Sequence, residues 1–116
     1  MLDIHPGKSR KIAHRRKRWA FFDESIHSSL IGKISQVSSS NSRDIIVLCC
    51  PLLNRLQDFY GDCSYDLSEL EQLIEEIQEI KQEFINDKIV VVQLEIFEKA
   101  CRDARNGNLN LYVFAD

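Results

Sequence analysis

The sequence lacks a long hydrophobic run. The longest candidate, Ile45 to Leu53, has nine residues and is interrupted by Pro51, whereas a helix that crosses a membrane needs about 20 apolar residues. The N-terminal residues carry positive charge but lack the apolar stretch of about 7–15 residues that a secretory signal requires. We therefore predict a cytoplasmic protein that does not associate with a membrane.

The sequence also lacks the cysteine and histidine spacing that is typical of a metal site. The four cysteines, Cys49, Cys50, Cys63 and Cys101, form no Cys-x-x-Cys pair, and all three histidines lie upstream of them. We therefore expect reduced thiols and neither a metal site nor another cofactor. Cys49, Cys50 and Cys101 lie among apolar residues, which predicts that they pack in a core. Cys63 lies in a turn and is expected to be the exposed thiol.

Acidic residues are almost absent from the first 18 positions, and this absence divides the charge along the chain. Residues 1–18 contain seven Lys and Arg residues against Asp3 alone, whereas residues 58–83 contain nine carboxylates against Lys81 alone. The formal net charge of −3 hides this division, which bears on the choice of partners. Because residues 1–18 show no apolar period, we predict a flexible basic arm that contributes little to stability, followed by a single globular domain over residues 19–116.

Apolar residues recur at helical spacing in four parts of the chain, which predicts four helices. The first covers about residues 23–37 and the second residues 51–60 at least. The third covers residues 67–85 and the fourth about residues 90–106. His27 falls on the polar side of the first helix, where we expect a surface histidine.

The third helix has the clearest pattern. Asp66 and Glu69 form a plausible capping pair, because each side chain can accept a hydrogen bond from an amide left free at a helix start. The apolar stripe of this helix consists of Leu67, Leu70, Leu73, Ile74, Ile77, Ile80 and Phe84. The polar residues that face away from the stripe are Glu71, Glu75, Gln78, Glu79 and Gln82. The helix therefore presents an acidic surface.

Three other segments decide the fold class. Residues 45–50 are hydrophobic throughout, so a buried strand and a buried helix fit equally well. Residues 89–93 fit either the start of the fourth helix or a short strand. In residues 109–114, every second residue is Leu or Val, which suits an extended segment with one buried face. We predict a mainly α fold, a small bundle of about four helices with a minor extended C-terminal element; the alternative is an α+β fold in which these segments pair.

The acidic surface favours a non-enzymatic, protein-binding function. Exposed carboxylates lack the apolar or like-charge environment that acid–base catalysis needs, so we do not expect an enzyme. Carboxylates can steer a basic partner, and tyrosines often anchor interfaces. The candidate partner-binding residues are Asp58, Tyr60, Asp62, Tyr65, Glu71 and Glu75.

Several of these residues also carry a resemblance. The chain resembles small bacterial immunity proteins that neutralise polymorphic or contact-dependent toxins. The resemblance covers the stretch Asp58-Phe59-Tyr60-Gly61-Asp62, Tyr65, the helix over 67–84, the helix near 97–104 and the terminal segment 111–116. It implies a cytoplasmic binding protein without catalysis, whose partner is a basic toxin domain encoded nearby.

The basic residues of the arm support an alternative function, that of a nucleic-acid-binding regulator. Lys and Arg side chains can neutralise phosphates, and Trp19 can stack on a base. The candidate nucleic-acid-binding residues are Lys8, Arg10, Lys11, Arg15, Arg16, Lys17, Arg18 and Trp19. From the sequence we favour protein binding, because nine acidic residues in one window oppose phosphate whereas the basic arm is short.

Overall fold

The computed structural model describes residues 1–38 and 50–115. The strands are β1 (Leu2–Gly7), β2 (Ala20–Phe22), β3 (Cys63–Tyr65) and β4 (Asn110–Ala115). The helices are α1 (Arg10–Arg15), α2 (Glu24–Ser38), α3 (Leu70–Lys81) and α4 (Lys88–Asn106). Short 3₁₀ helices cover Leu53–Gln57, Leu67–Glu69 and Gln82–Phe84.

The four strands form one antiparallel sheet in the order β2-β1-β4-β3. β1 and β4 lie at its centre and pair along their whole length, from Leu2 opposite Ala115 to Gly7 opposite Asn110. Successive side chains of a strand point to opposite faces, and the face that packs on the helices is apolar. Its buried residues are Leu2, Ile4, Ala20, Phe22, Tyr65, Leu111 and Val113. They join residues of α2, α3 and α4 in one core cluster.

The sheet corrects the predicted fold class. The protein is helix-rich, as predicted, but the bundle prediction omitted three of the four strands, so an α+β description fits at least as well. The extended segment at residues 109–114 is confirmed as β4. Residues 89–93 belong to α4. The prediction for residues 45–50 lies outside the described residues except for Cys50, which is buried.

The first 18 residues differ most from their prediction. They were expected to be a flexible arm, but Leu2–Gly7 is a central strand with Leu2 and Ile4 fully buried. Arg10–Arg15 is helical, and Ala13 is fully buried as well. The prediction was wrong because alternation in so short a strand involves only two large apolar residues, and basic residues dominate the composition around them.

Three of the four predicted helices are confirmed as α2, α3 and α4. The capping box of Asp66 and Glu69 is present at the start of the 3₁₀ turn that leads into α3. None of the helices in the described part of the chain is long and apolar enough to cross a membrane. Residues 51–60 form only a turn and a short 3₁₀ helix, in which Leu53 and Leu56 are buried. Apolar spacing thus identified the buried Leu53 and Leu56 but not the type of helix, and Tyr60, which fits the same spacing, is exposed.

Two buried polar side chains connect these elements. His27 was expected on the surface, but it is buried on α2, and its Nε2 donates a hydrogen bond to the carbonyl oxygen of Leu56. Glu76 on α3 is buried too, and its Oε1 accepts hydrogen bonds from the backbone amides of Leu52 and Leu53, at 2.9 Å each. Both side chains therefore fix the segment 52–57 against helices, which helical periodicity alone does not predict.

Candidate nucleic-acid interface

The sheet face opposite α2, α3 and α4 carries polar and aromatic side chains. We call it the outer sheet face; its residues are Asp3, His5, Phe21, Ser64, Tyr112 and Phe114. All of them are at least partly exposed. The alternation of β1 and β4 produces this face, because Leu111 and Val113 point into the core while Tyr112 and Phe114 point away from it.

The short helix α1 packs against one end of β1 and β4. Ser9 caps it, with its Oγ accepting a hydrogen bond from the amide of Ile12 at 3.3 Å. A Cβ atom on Gly7 would lie 2.8 Å from Cα of Ala13, so the absence of a side chain at Gly7 permits the close approach of helix and strand. Gly7 therefore positions the basic side chains of α1 beside the sheet.

Phe114 is the centre of an aromatic cluster at this junction. The rings of His5 and His14 meet it edge-on, with centroids at 5.3 and 5.0 Å. The guanidinium carbon of Arg10 lies 5.2 Å from its centroid. Tyr112 lies nearly parallel to it, at 6.5 Å and 17°. Cationic and aromatic groups from three elements thus meet at one place.

An open pocket of about 530 Å³ lies between α1 and the end of β4. This volume falls within the roughly 300–1,000 Å³ of typical ligand sites. The residues that line it are Arg10, Lys11, His14, Arg15, Asp62, Phe114 and Ala115. Its wall therefore offers positive charge, an aromatic ring and one carboxylate.

Asp62 is the carboxylate in this pocket. It forms an ion pair with Arg10, and its Oδ1 accepts a hydrogen bond from the amide of Ala115 at 2.7 Å. The structure therefore places a residue from the predicted acidic site inside the basic one. Since Asp62 is engaged by Arg10, it orients a cation across Phe114 rather than presenting free negative charge.

Most of the basic residues around α1 keep their charge available for an external anion. Arg18 pairs with Asp3 at 2.7 Å and lies 4.5 Å from the ring centroid of Phe21. Around α1, five exposed basic residues make no ion pair with the described residues: Lys8, Lys11, Arg15, Arg16 and Lys17. Trp19 does not join the basic surface of α1, because it packs near α4 beside Ile96.

The other predicted partner-binding residues do not form a single anchored site. Tyr65 is fully buried, and its hydroxyl donates a hydrogen bond to the carbonyl oxygen of Leu52 at 2.6 Å. It is therefore not an interface residue. Tyr60 is 77% exposed, and Asp58 accepts a hydrogen bond from its amide at 2.9 Å. Glu71 and Glu75 lie on the exposed side of α3.

The described thiols are poorly suited to nucleophilic chemistry. Cys63 is half-buried rather than exposed, and burial raises its pKa to about 11. Cys101 is fully buried, which raises its pKa further, and Cys50 is fully buried as well. Cys49 lies outside the described residues. His, Cys, Asp and Glu side chains form no group of three that could hold a metal ion within the part of the chain that the structure describes.

Comparison of the chain with protein-family models, with curated proteins and with solved structures finds no match. The residues of the site itself must therefore carry the functional argument.

Sequence reasoning missed the aromatic half of the site. His5, His14, Tyr112 and Phe114 were not among the candidate residues. The alternation over residues 109–114 could have found two of them, since a buried Leu111 and Val113 require Tyr112 and Phe114 to face the other way. His5 could not be found in this way, because β1 was not predicted.

Proposed function

We propose that the protein binds single-stranded nucleic acid through α1 and the outer sheet face. The observation that carries this proposal is the meeting of the unpaired Lys11 and Arg15 with Phe114 at one open pocket, beside the nearly parallel ring of Tyr112. Phosphates would contact Lys11 and Arg15, and a base would stack on the rings of Tyr112 and Phe114. Positive grooves lined by aromatic side chains are the usual means of holding single strands.

The form of the site favours single strands over a duplex. A duplex hides the faces of its bases, whereas the outer sheet face can accept bases only if they are unstacked. A helix that reads the major groove must also reach base edges with several side chains. α1 has six residues, and Ala13 and Gly7 hold it against the sheet. It supplies phosphate contacts rather than groove recognition.

Binding measurements on point variants test this proposal. Fluorescence anisotropy with labelled oligouridine and oligothymidine should show binding that weakens with salt. Arg15→Gln should reduce the slope of log affinity against log salt concentration by about 0.7, because one phosphate contact is lost. Tyr112→Leu should weaken binding about tenfold through lost stacking, with little change in the salt slope.

Lys33→Gln is the matched control for Arg15→Gln. It removes the same charge from α2, where the ammonium lies 6.0 Å from the ring centroid of Phe84, away from the pocket. The control should bind like the wild type. Equal losses in Arg15→Gln and Lys33→Gln would show only a general charge effect. No binding of any single strand at low salt would refute the proposal.

A second candidate is the protein-binding function, in which an acidic surface covers a basic partner such as a toxin domain. Its support is the exposed Tyr60, which presents an aromatic side chain beside Asp58, together with the carboxylates of Glu71 and Glu75 on the exposed side of α3. Exposed tyrosines are common interface anchors. This proposal ranks second because Tyr65 is buried and Asp62 is paired with Arg10.

Genomic context and capture distinguish the second candidate from the first. An adjacent gene for a basic toxin domain would support it, and so would co-purification with that domain that Tyr60→Ala and Glu71→Gln/Glu75→Gln weaken. Arg15→Gln should leave such capture unchanged. If only Arg15→Gln weakens it, the acidic surface is not the binding site. Neither proposed function involves catalysis.

A further inference from the structure

An exposed apolar stripe runs along α4, separate from the outer sheet face. Ile89, Val92 and Ile96 are 71%, 50% and 38% exposed, and their spacing of three and four residues places them on one side of the helix. Ile85, which is 73% exposed, lies in the turn immediately before α4. A run of exposed branched side chains of this kind marks an interaction surface. We call it the α4 stripe.

The far end of the α4 stripe opens into a pocket of about 280 Å³. Its lining residues are Trp19, Ile96, Lys99, Ala100 and Asp103. Trp19 is 38% exposed there, although tryptophan usually gains stability by burial. One end of the stripe therefore offers the exposed Ile85, and the other offers a pocket lined by both apolar and charged side chains.

We propose that the α4 stripe binds the α4 stripe of a second copy of this chain, in an antiparallel two-fold arrangement. A two-fold axis near Val92 puts Ile89 opposite the partner's Ile96. Ala100 lies eight residues after Val92 on α4, which is about 12 Å at helical rise, whereas the partner's α4 begins only four residues before its Val92. The pocket beside Ala100 thus lies across from the turn that precedes the partner's α4, where the exposed Ile85 is the apolar side chain available to enter it.

The charges beside the stripe match under the same symmetry. Lys88 and Glu95 are both exposed and lie on either side of Val92, so Lys88 faces the partner's Glu95. Lys99, whose side chain is 81% exposed, pairs with Asp103 of its own helix at 3.6 Å and lies on the same side of the stripe. A two-fold interface requires one patch to be complementary to itself. This patch meets that requirement through the apolar stripe and the pairing of Lys88 with Glu95, which favours a second copy over an unrelated protein.

The dimer would leave the nucleic-acid proposal untouched. α4 packs on the inner side of the sheet, so the outer sheet face of each copy stays accessible. Two binding faces in one particle would raise avidity for a strand long enough to reach both. The two proposals nevertheless stand or fall separately, because mass measurements need no nucleic acid.

Sedimentation equilibrium over roughly a hundredfold range of concentration tests the dimer, since mass action separates monomer from dimer. The wild type should approach twice the chain mass at the upper end of the range. Val92→Glu should remain monomeric, because it buries two like charges at the axis. Tyr60→Glu is the matched control, with an exposed aromatic residue outside the stripe, and should dimerise like the wild type.

Charge exchange gives a second test that does not rely on one disruptive variant. Lys88→Glu and Glu95→Lys should each raise the dimer dissociation constant about tenfold, by placing like charges opposite one another. The double variant should restore wild-type association. A wild type that stays monomeric at every concentration overturns the proposal, as does a Val92→Glu variant that dimerises. A double variant no tighter than either single one overturns the antiparallel register.

Discussion

At the scale of single residues, Glu76 has a structural role that its position in an acidic helix does not reveal. It belongs to an acidic helix whose neighbours Glu75 and Glu79 are exposed, yet its own side chain is only 4% exposed. Oε1 accepts two backbone hydrogen bonds and Oε2 accepts one from Gln72 at 2.9 Å. These hydrogen bonds give both carboxylate oxygens a partner, which explains why a carboxylate is stable at a buried position.

Glu76→Ala should therefore lower the free energy of unfolding by about 2–4 kcal/mol, because two buried amides would lose their acceptor. Glu76→Gln keeps an acceptor oxygen and should cost about 1 kcal/mol. Glu75→Ala, one position earlier on the exposed side, should change stability by less than about 0.5 kcal/mol. Urea denaturation of the three variants checks this order, and an alanine at position 76 as stable as one at 75 would contradict the role of Glu76.

The basic residues show the limit of sequence reasoning at the same scale. Charge composition identified Arg10, Lys11 and Arg15 correctly as exposed basic residues. It could not reveal that Asp62, fifty-two residues away, pairs with Arg10. Contacts at such separation depend on the pairing of β3 with β4, and no local pattern encodes that pairing.

At the scale of elements, the junction of β1 and α1 depends on one glycine. Gly7→Ala should destabilise the protein by about 1–3 kcal/mol, because the new Cβ would overlap the backbone and side chain of Ala13 at 2.8 Å. Gly32 offers a matched control on α2, where a Cβ would meet nothing within 4 Å. Gly32→Ala should stabilise by about 0.5–1 kcal/mol through higher helix propensity. Thermal unfolding of both variants checks that their changes in stability have opposite signs. A change in the same direction for both variants would contradict the close packing of α1.

Long helices could be predicted and short strands could not. α3 and α4 have 12 and 19 residues, so several turns repeat the apolar spacing and the caps confirm their starts. β2 and β3 have three residues each, which is too short for alternation to be distinguished from chance. Their structure comes from pairing with β1 and β4, which is a tertiary effect.

At the scale of the whole molecule, the first strand joins both ends of the chain into one core. β1 pairs with β2 on one side and with β4 on the other, so its loss would separate the sheet at its centre. The basic segment that follows it is therefore held on an ordered scaffold. The basic segment, which the sequence predicted to be a flexible arm, therefore forms an ordered basic surface in the structure.

Core variants test the position of β1. Ile4 is fully buried, and Ile4→Ala should lower the free energy of unfolding by about 2–5 kcal/mol through a lost side chain and a cavity. Ile12, which is 48% exposed on α1, is the matched control, and Ile12→Ala should cost less than about 0.5 kcal/mol. Chemical denaturation measures both. Similar small losses in the two variants would mean that residues 1–7 do not pack in the core.

The most direct test of the nucleic-acid proposal is nuclear magnetic resonance mapping of the isotope-labelled protein during titration with a single-stranded oligonucleotide. The largest amide shift changes should fall on residues 8–16 and 110–114 and on His5, with α3 unchanged. A duplex of the same length should cause smaller changes, because its bases stay stacked. Shift changes confined to α3, or none at any concentration of single strand, would contradict binding through α1 and the outer sheet face.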